Sequence, residues 1–174
     1  MINIFVINGS ASEQSSNQQL IRTIELLAKD KFKLTICTSL KTLPHFDPDL
    51  TINETPQSIL DLRKNIESAD GLIICTPEYI FSIPSGLKNA IEWCISTTIF
   101  SEKPTALITA SSQGEAAHEQ LQLIMKTAMA RFTPETTLLI QGIKGKFDLQ
   151  GQLIDPTLQG SLNMLISAFT KLLK

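Results

Sequence analysis

Gly71-Leu72-Ile73-Ile74-Cys75-Thr76-Pro77-Glu78-Tyr79-Ile80-Phe81-Ser82-Ile83-Pro84-Ser85-Gly86-Leu87-Lys88-Asn89-Ala90-Ile91-Glu92-Trp93 decides the fold of this chain. The stretch opens on an apolar run, Gly71 to Cys75. Such continuity marks a strand buried on both faces, at the centre of a parallel sheet. It closes on a helical pattern that puts Leu87, Ala90, Ile91, Cys94 and Ile95 on one face. Between them Pro77 and Pro84 each fix their own φ and restrict the residue before them, so the loop is stiff. A loop at the carboxyl end of a strand is where open α/β sheets bind ligands. Thr76 and Glu78 bring polar atoms, Tyr79 and Phe81 bring flat apolar surface, and backbone N–H groups stand between the prolines. That mix suits a flat aromatic ligand with a polar edge. An ordinary strand–loop–helix connection would carry the same features.

Toward the N-terminus, Ile2 to Asn8 is a second apolar run, ending in Gly9-Ser10. The small polar stretch Ala11 to Asn17 follows, and then Leu20, Ile21, Ile24, Leu27 and Ala28 recur at helical spacing. Helix N-termini carry unpaired N–H groups and the positive end of the dipole. With hydroxyls from Ser10, Ser12, Ser15 and Ser16 and the amide of Asn17, they would form a phosphate cradle of neutral donors. Ser and Asn gather at N-caps without any ligand as well, so both readings stand at this point. Gly-Lys-Ser/Thr is absent, as is GxGxxG, so this is neither a P-loop nor a dinucleotide fingerprint.

The remaining segments complete an alternation. Phe32–Leu40 reads as a strand; Leu43–Asp49 as a loop. A helix with Thr55 as N-cap and Pro56 in its first turn carries Ile59, Leu62, Ile66 and Ala69 inward. Pro104–Ala110 reads as a strand, Ser111–Glu115 as a polar turn, and a helix follows with Ala117, Leu121, Ile124, Met125 and Ala128 inward. His118 is expected on that helix's solvent side. Thr136–Ile140 is the fifth strand, 146–153 a small excursion, and Asp155-Pro156 caps a last helix with Leu158, Leu162, Leu165, Phe169 and Leu172 inward. Five strands alternating with five helices predict an α/β fold with a doubly wound parallel sheet and helices on both faces. The length favours the flavodoxin-like strand order 2-1-3-4-5 over the Rossmann order. In that order the loops after the first, third and fourth strands converge on one crevice.

The 174 residues suit a single domain over 1–174, and 43% hydrophobic content can fill its core. A net charge of -2 leaves no electrostatic footprint for nucleic acid. No apolar run approaches the ~18 residues of a membrane span, and the N-terminal run lacks the basic flank and cleavage site of a secretory signal. Cys37, Cys75 and Cys94 show no CxxC spacing; buried reduced thiols in a cytoplasmic protein account for them. His45 and His118 lie far apart without a clustered ligand set or a triad pattern, so no metal and no side-chain nucleophile is expected.

With these segments in place, the chain resembles the NADPH-dependent FMN reductases of the flavodoxin-like superfamily, which include quinone, chromate and azo-dye reductases. Gly9, Ser10, Ser15 and Asn17 match the family's Gly-Ser-x-Arg-x-x-Ser-x-Asn loop. Pro77, Glu78, Tyr79, Ser82, Pro84, Leu87, Lys88, Asn89, Ala90, Ile91 and Trp93 match its long Pro-Glu-Tyr motif. The resemblance implies FMN as cofactor and NADPH or NADH as co-substrate. It implies FMN phosphate on Ser10, Ser15 and Asn17, the flavin ring against Pro77, Glu78, Tyr79 and Ile80, and its other edge against Ser111, Ser112 and Gly114. Three departures stand out: Ser12 replaces the family's arginine, Ile80 its asparagine and Ser85 its second-motif glycine. The implied activity is ping-pong hydride transfer to a flavin, quinone, azo compound or similar small acceptor, with the cofactor carrying the chemistry. A flavodoxin-type electron carrier is the alternative, though such carriers are far more acidic. A receiver domain needs carboxylates where Asn8 and Thr76 stand. The resemblance also implies a homodimer or homotetramer, with Trp93 either an interface anchor or a packed helix residue.

Overall fold

Among residues 1–12, 14–37 and 40–174, which the computed structural model describes, five strands and five α-helices alternate. The strands are β1 (Ile2–Asn8), β2 (Phe32–Cys37), β3 (Gly71–Thr76), β4 (Thr105–Ser111) and β5 (Thr137–Gln141). The helices are α1 (Ser16–Ala28), α2 (Gln57–Ser68), α3 (Ser85–Glu92), α4 (Glu115–Thr127) and α5 (Pro156–Leu172). Every pairing is parallel, in the order β2-β1-β3-β4-β5. This is the flavodoxin-like order expected from the sequence. The winding reverses at β1: α1 leads to β2 on one side, and α2 carries the chain back across to β3 on the other. A crevice therefore opens between the carboxyl ends of β1 and β3.

The two faces of the sheet bury separate apolar layers. On one, Leu62 of α2, Leu87 of α3 and Leu121 of α4 pack over Ile74 and Leu107. On the other, Ile24 of α1 and Leu165 and Phe169 of α5 pack over Ile4, Ile73 and Ile108. Ile73 and Ile74 go to opposite layers because strand side chains alternate with period two. Each layer holds one edge-on aromatic pair, Phe32–Phe169 at 5.7 Å and Phe46–Trp93 at 5.4 Å between ring centroids.

Local signals place most boundaries. Ser15 caps α1, its hydroxyl accepting from the Gln18 N–H at 3.1 Å. Asp155 caps α5 in the same way through Leu158, with Pro156 opening the helix. Elsewhere the structure differs. β2 ends at Cys37, and a 3-10 turn covers Leu40–Thr42; Thr38 and Ser39, expected in the strand, lie outside the described residues. Pro56, not Thr55, occupies the cap of α2, and the Thr55 hydroxyl instead donates to the carbonyls of Leu50 and Thr51. α3 stops at Glu92, so Ile95 leaves the expected apolar face and is 55% exposed. Trp93 is fully buried, which assigns it to the core and removes it as an interface anchor.

Candidate functional site

Gly9 brings the ends of β1 and β3 together. Its N–H donates to the Cys75 carbonyl at 2.8 Å, and a Cβ here would stand 2.5 Å from the Thr76 hydroxyl oxygen. Only glycine fits so close an approach. The chain then turns over α1 in a small network set by Asn8. The Asn8 side-chain oxygen accepts from the Ser10 N–H at 3.0 Å, and its amide donates to Gln18 at 3.0 Å. The Ser10 hydroxyl accepts from the Ser12 N–H at 3.2 Å. Ser10 and Ser15 each use an oxygen lone pair on the loop and keep a hydroxyl proton to donate outward. Ser12 is exposed and Ser16 half-buried. The first-turn N–H groups of α1, at Ser16 and Asn17, have no intrahelical partner by helix geometry.

The Asn17 side chain takes a different direction from the one the motif implies. It is 3% exposed; its amide donates to the Ala110 carbonyl at 3.0 Å, and its oxygen accepts from the Cys75 thiol at 3.2 Å. It ties the start of α1 to β3 and β4. Burial pushes the Cys75 thiol well above its ordinary pKa, so it stays protonated and can donate.

The loop after β3 is mounted on α4 at two points. The Glu78 carboxylate accepts from the N–H groups of Gly114 at 3.3 Å and Ala117 at 2.9 Å. Gly114, at the cap of α4 with φ 97°, has no side chain to serve those donors, so Glu78 caps the helix from outside. Further along, Gln120 of α4 accepts from the Ser82 hydroxyl and the Ile83 N–H, both at 2.8 Å. Between the mounts, Tyr79 and Ser82 exchange both backbone hydrogen bonds, at 2.9 and 3.2 Å. The two residues at the tip, Ile80 (φ 50°) and Phe81 (φ 56°), are left-handed, as a type I′ turn requires. Both are apolar and face solvent, at 93% and 75% exposure. Ser112 lies on the neighbouring β4–α4 loop, where its carbonyl accepts from the Gly142 N–H at 3.1 Å, and Ser111 ends β4 beside it.

The far wall is the Leu43–Asp49 segment, pinned by α3. Asn89 accepts from the Phe46 N–H at 2.7 Å and donates to the Pro44 carbonyl at 3.0 Å; the Trp93 indole donates to the same carbonyl at 2.8 Å. A cleft of about 470 Å³ runs along this wall at Leu43 and His45, and an adjoining one of about 360 Å³, against the end of β2, shares Ser10, Ala11, Leu40 and Lys41 with it. Tyr79 and His45 face the larger one. Neither Lys41 nor His45 is a site candidate on sequence grounds. The signal for Lys41 is its place just past the carboxyl end of β2, the strand beside β1. A larger apolar cavity of about 870 Å³ lies on the outer flank, between β5 and α5, remote from these loops.

The candidate residues thus stand on three loops at the carboxyl edge of the sheet, Ser10, Ser12, Ser15 and Ser16 on the first, Pro77 to Ile80 on the second, and Ser111, Ser112 and Gly114 on the third; of these, Ser10, Ser12 and Tyr79 line the two clefts, and the others do not. His118 is not the solvent-side residue expected. It is half-buried, its Nδ1 lies 3.0 Å from the Thr109 hydroxyl, and burial holds its pKa below the ordinary imidazole value against the pull of Glu119.

Comparison with known proteins gives the family. The profile of the family described as NADPH-dependent FMN reductase matches residues 2–144, and the chain belongs to that family. It is 32% identical over 179 residues to a quinone reductase of Escherichia coli, covering 97% of this chain and 92% of that protein. It is 30% identical to the NADH:(hydroxy)cinnamate reductase subunit CrdA of Vibrio ruber, over 97% of this chain and 85% of that one. Among solved structures, the flavoenzyme NAD(P)H:(acceptor) oxidoreductase FerB from Paracoccus denitrificans superposes with a TM-score of 0.85 at 26% identity, over 99% and 97% of the two chains.

Proposed function

We propose that this chain, acting as one domain over 1–174, is an FMN-dependent oxidoreductase that uses NADPH or NADH to reduce a small acceptor such as a flavin, quinone or azo compound. The observation that carries the proposal is the convergence of three loops on the β1–β3 crevice in a chain of the FMN reductase family. The donor set suits the group. Phosphate would meet the hydroxyls of Ser10, Ser12, Ser15 and Ser16 and the first-turn N–H groups of α1, with Asn17 contributing its backbone alone. The flavin ring would lie along Pro77, Glu78, Tyr79 and Ile80, with Ser111, Ser112 and Gly114 at its other edge.

Bound FMN would supply the two-electron chemistry, taking a hydride from the nicotinamide and delivering it to the acceptor in a second half-reaction. The chain's own residues bind and orient. Glu78 commits its carboxylate to α4, so its part is to hold the loop's shape. Backbone donors of the Pro77–Ile80 loop are fixed before the reaction and would stabilise negative charge developing at the ring's polar edge. No side chain need act as acid, base or nucleophile.

The electron-carrier alternative is not favoured: the relatives are reductases, and a net charge of -2 is modest for a carrier. No helix among the described residues is long and apolar enough to cross a membrane, and buried thiols suit a cytoplasmic setting. Exposed Ile95, Leu123 and Met129, on or beside the helices of one face, support self-association as a homodimer or homotetramer, which light scattering would measure. The decisive experiment is a visible spectrum of the purified protein followed by anaerobic NADPH. A flavin spectrum that bleaches supports the proposal; a protein that is colourless and also fails to bind added FMN overturns it.

A further inference from the structure

A pocket of about 350 Å³ lies between α1, the 146–153 excursion and the first turn of α5, and it shares no lining residue with the two clefts described above. Five long polar side chains line it: Gln19 and Arg22 of α1, Gln150 and Gln152 of the excursion, and Gln159 of α5. Among the described residues, neither the Arg22 guanidinium nor any of the four amides has a hydrogen-bond or ion-pair partner in the chain, and no Asp or Glu lines the pocket.

The excursion is a tight turn whose shape is set from within. Phe147 and Leu153 pair across it. The Asp148 N–H donates to the Gln152 carbonyl and the Gly151 N–H to the Asp148 carbonyl, both at 3.0 Å. The Asp148 carboxylate accepts from the N–H groups of Gln150 at 2.9 Å and Gln152 at 2.8 Å, so the turn's own negative charge is committed to its backbone. Gly151 is left-handed at φ 77°, and a Cβ there would stand 3.1 Å from the Gln19 amide nitrogen. Glycine lets the turn close on α1 at that point. Walls held in this way lose little freedom when a ligand arrives.

The lining selects a chemistry. A guanidinium with no carboxylate beside it favours an anion, and its fork matches a phosphate. The glutamine amides both donate and accept. The Thr23 hydroxyl, which gives its proton to the Gln19 carbonyl at 3.0 Å, is left to accept. Such groups suit the hydroxyls of a ligand. The volume stands at the small end of the ~300–1,000 Å³ typical of ligand pockets, room for one sugar-sized molecule and not for a dinucleotide. We infer that this pocket is a second ligand site for a small phosphorylated polyol, the size of a sugar monophosphate, with Arg22 on the phosphate and the glutamines on the hydroxyls. None of its residues enters the FMN reading, so the two stand or fall separately.

Ribose 5-phosphate serves as the probe, with ribose and inorganic phosphate as controls. Each is titrated into isotope-labelled protein, with and without saturating FMN, and backbone amide shifts locate the binding. Ribose 5-phosphate is expected to move residues 19–23 and 150–153 whether or not FMN is present, and ribose to move neither. Arg22 is exposed, so Arg22→Gln should fold, which circular dichroism checks. Arg22→Gln is expected to weaken the probe about tenfold or more. Gln152→Ala is expected to weaken it a few-fold and leave inorganic phosphate unchanged. No shift at about 10 mM probe overturns the inference, as does unchanged affinity in Arg22→Gln. Shifts confined to residues 10–17 and abolished by FMN overturn it too, since the probe would then occupy the cofactor's cradle. Inorganic phosphate binding as tightly as ribose 5-phosphate would mark an adventitious ion only. A protein that binds no flavin is judged on the titration without FMN.

Discussion

The Glu78 carboxylate lies 2.9 Å from the Ala117 N–H, joining the loop after β3 to the first turn of α4. One side chain thereby serves two orphan donors of a helix that has no capping residue of its own. Replacing it by alanine should cost about 1–2 kcal/mol, the range of a lost cap or a charge-assisted hydrogen bond. Urea unfolding of Glu78→Ala and Glu78→Gln would show it, with Gln intermediate because its one carbonyl oxygen still accepts. FMN affinity should fall with stability, since the loop loses one of its two mounts. Unchanged stability in Glu78→Ala would remove the capping role.

Asn17 separates scaffold from ligand contact. Its side chain is bonded to Ala110 and Cys75, so Asn17→Ala should lower stability by about 1–3 kcal/mol by leaving buried groups unpaired. Ser12 is exposed, and Ser12→Ala should leave stability within about 0.5 kcal/mol. The comparison is two denaturation curves; equal midpoints for the two variants would contradict the buried placement of Asn17.

Ile80 is a β-branched residue held at φ 50°, a conformation that costs an L-residue roughly 1–2 kcal/mol. Asparagine tolerates that region and is favoured at this position of a type I′ turn. Ile80→Asn should therefore stabilise the protein by about 1 kcal/mol, read as a rise in Tm. A lowered Tm would mean that the exposed isoleucine makes a stabilising contact outweighing its strain.

His118 gives stability a pH dependence. Its folded pKa is depressed by burial, so in the window from the usual imidazole value of about 6.5 downward the unfolded chain takes up the proton first. The contribution of His118 is complete above that window and is lost as pH falls through it. Denaturant midpoints at pH 8 and pH 5.5 should drop more for the wild type than for His118→Gln. Glu119 opposes the shift and Thr109 accepts or donates at Nδ1, so His118→Gln is best compared in an unaltered background. Parallel drops in the two proteins would refute the assignment.

The fold was legible because its signals are local and repeated. Gly71 to Cys75 reads as a central strand at sight, and Ser15 and Asp155 announce the helices they cap. What stayed hidden depends on partners far off in sequence. Asn17 looks like a phosphate ligand until Ala110, 93 residues away, claims its amide. Nothing local to Glu78 announces that its carboxylate will be taken up by the N–H of Ala117, 39 residues away. Trp93 offers no hint that its indole will find the Pro44 carbonyl, 49 residues away. His118 sits at a flank position of α4, where helical periodicity leaves a side chain's direction undecided, and its Nδ1 meets the Thr109 hydroxyl of β4.

The two mounts of the loop after β3 have a further meaning. Glu78 and Gln120 grip its ends, while Ile80 and Phe81 at the tip stand largely exposed, with left-handed backbones. Such a tip is an interchangeable part on a fixed handle. Its two side chains can be exchanged over generations without reworking the mount.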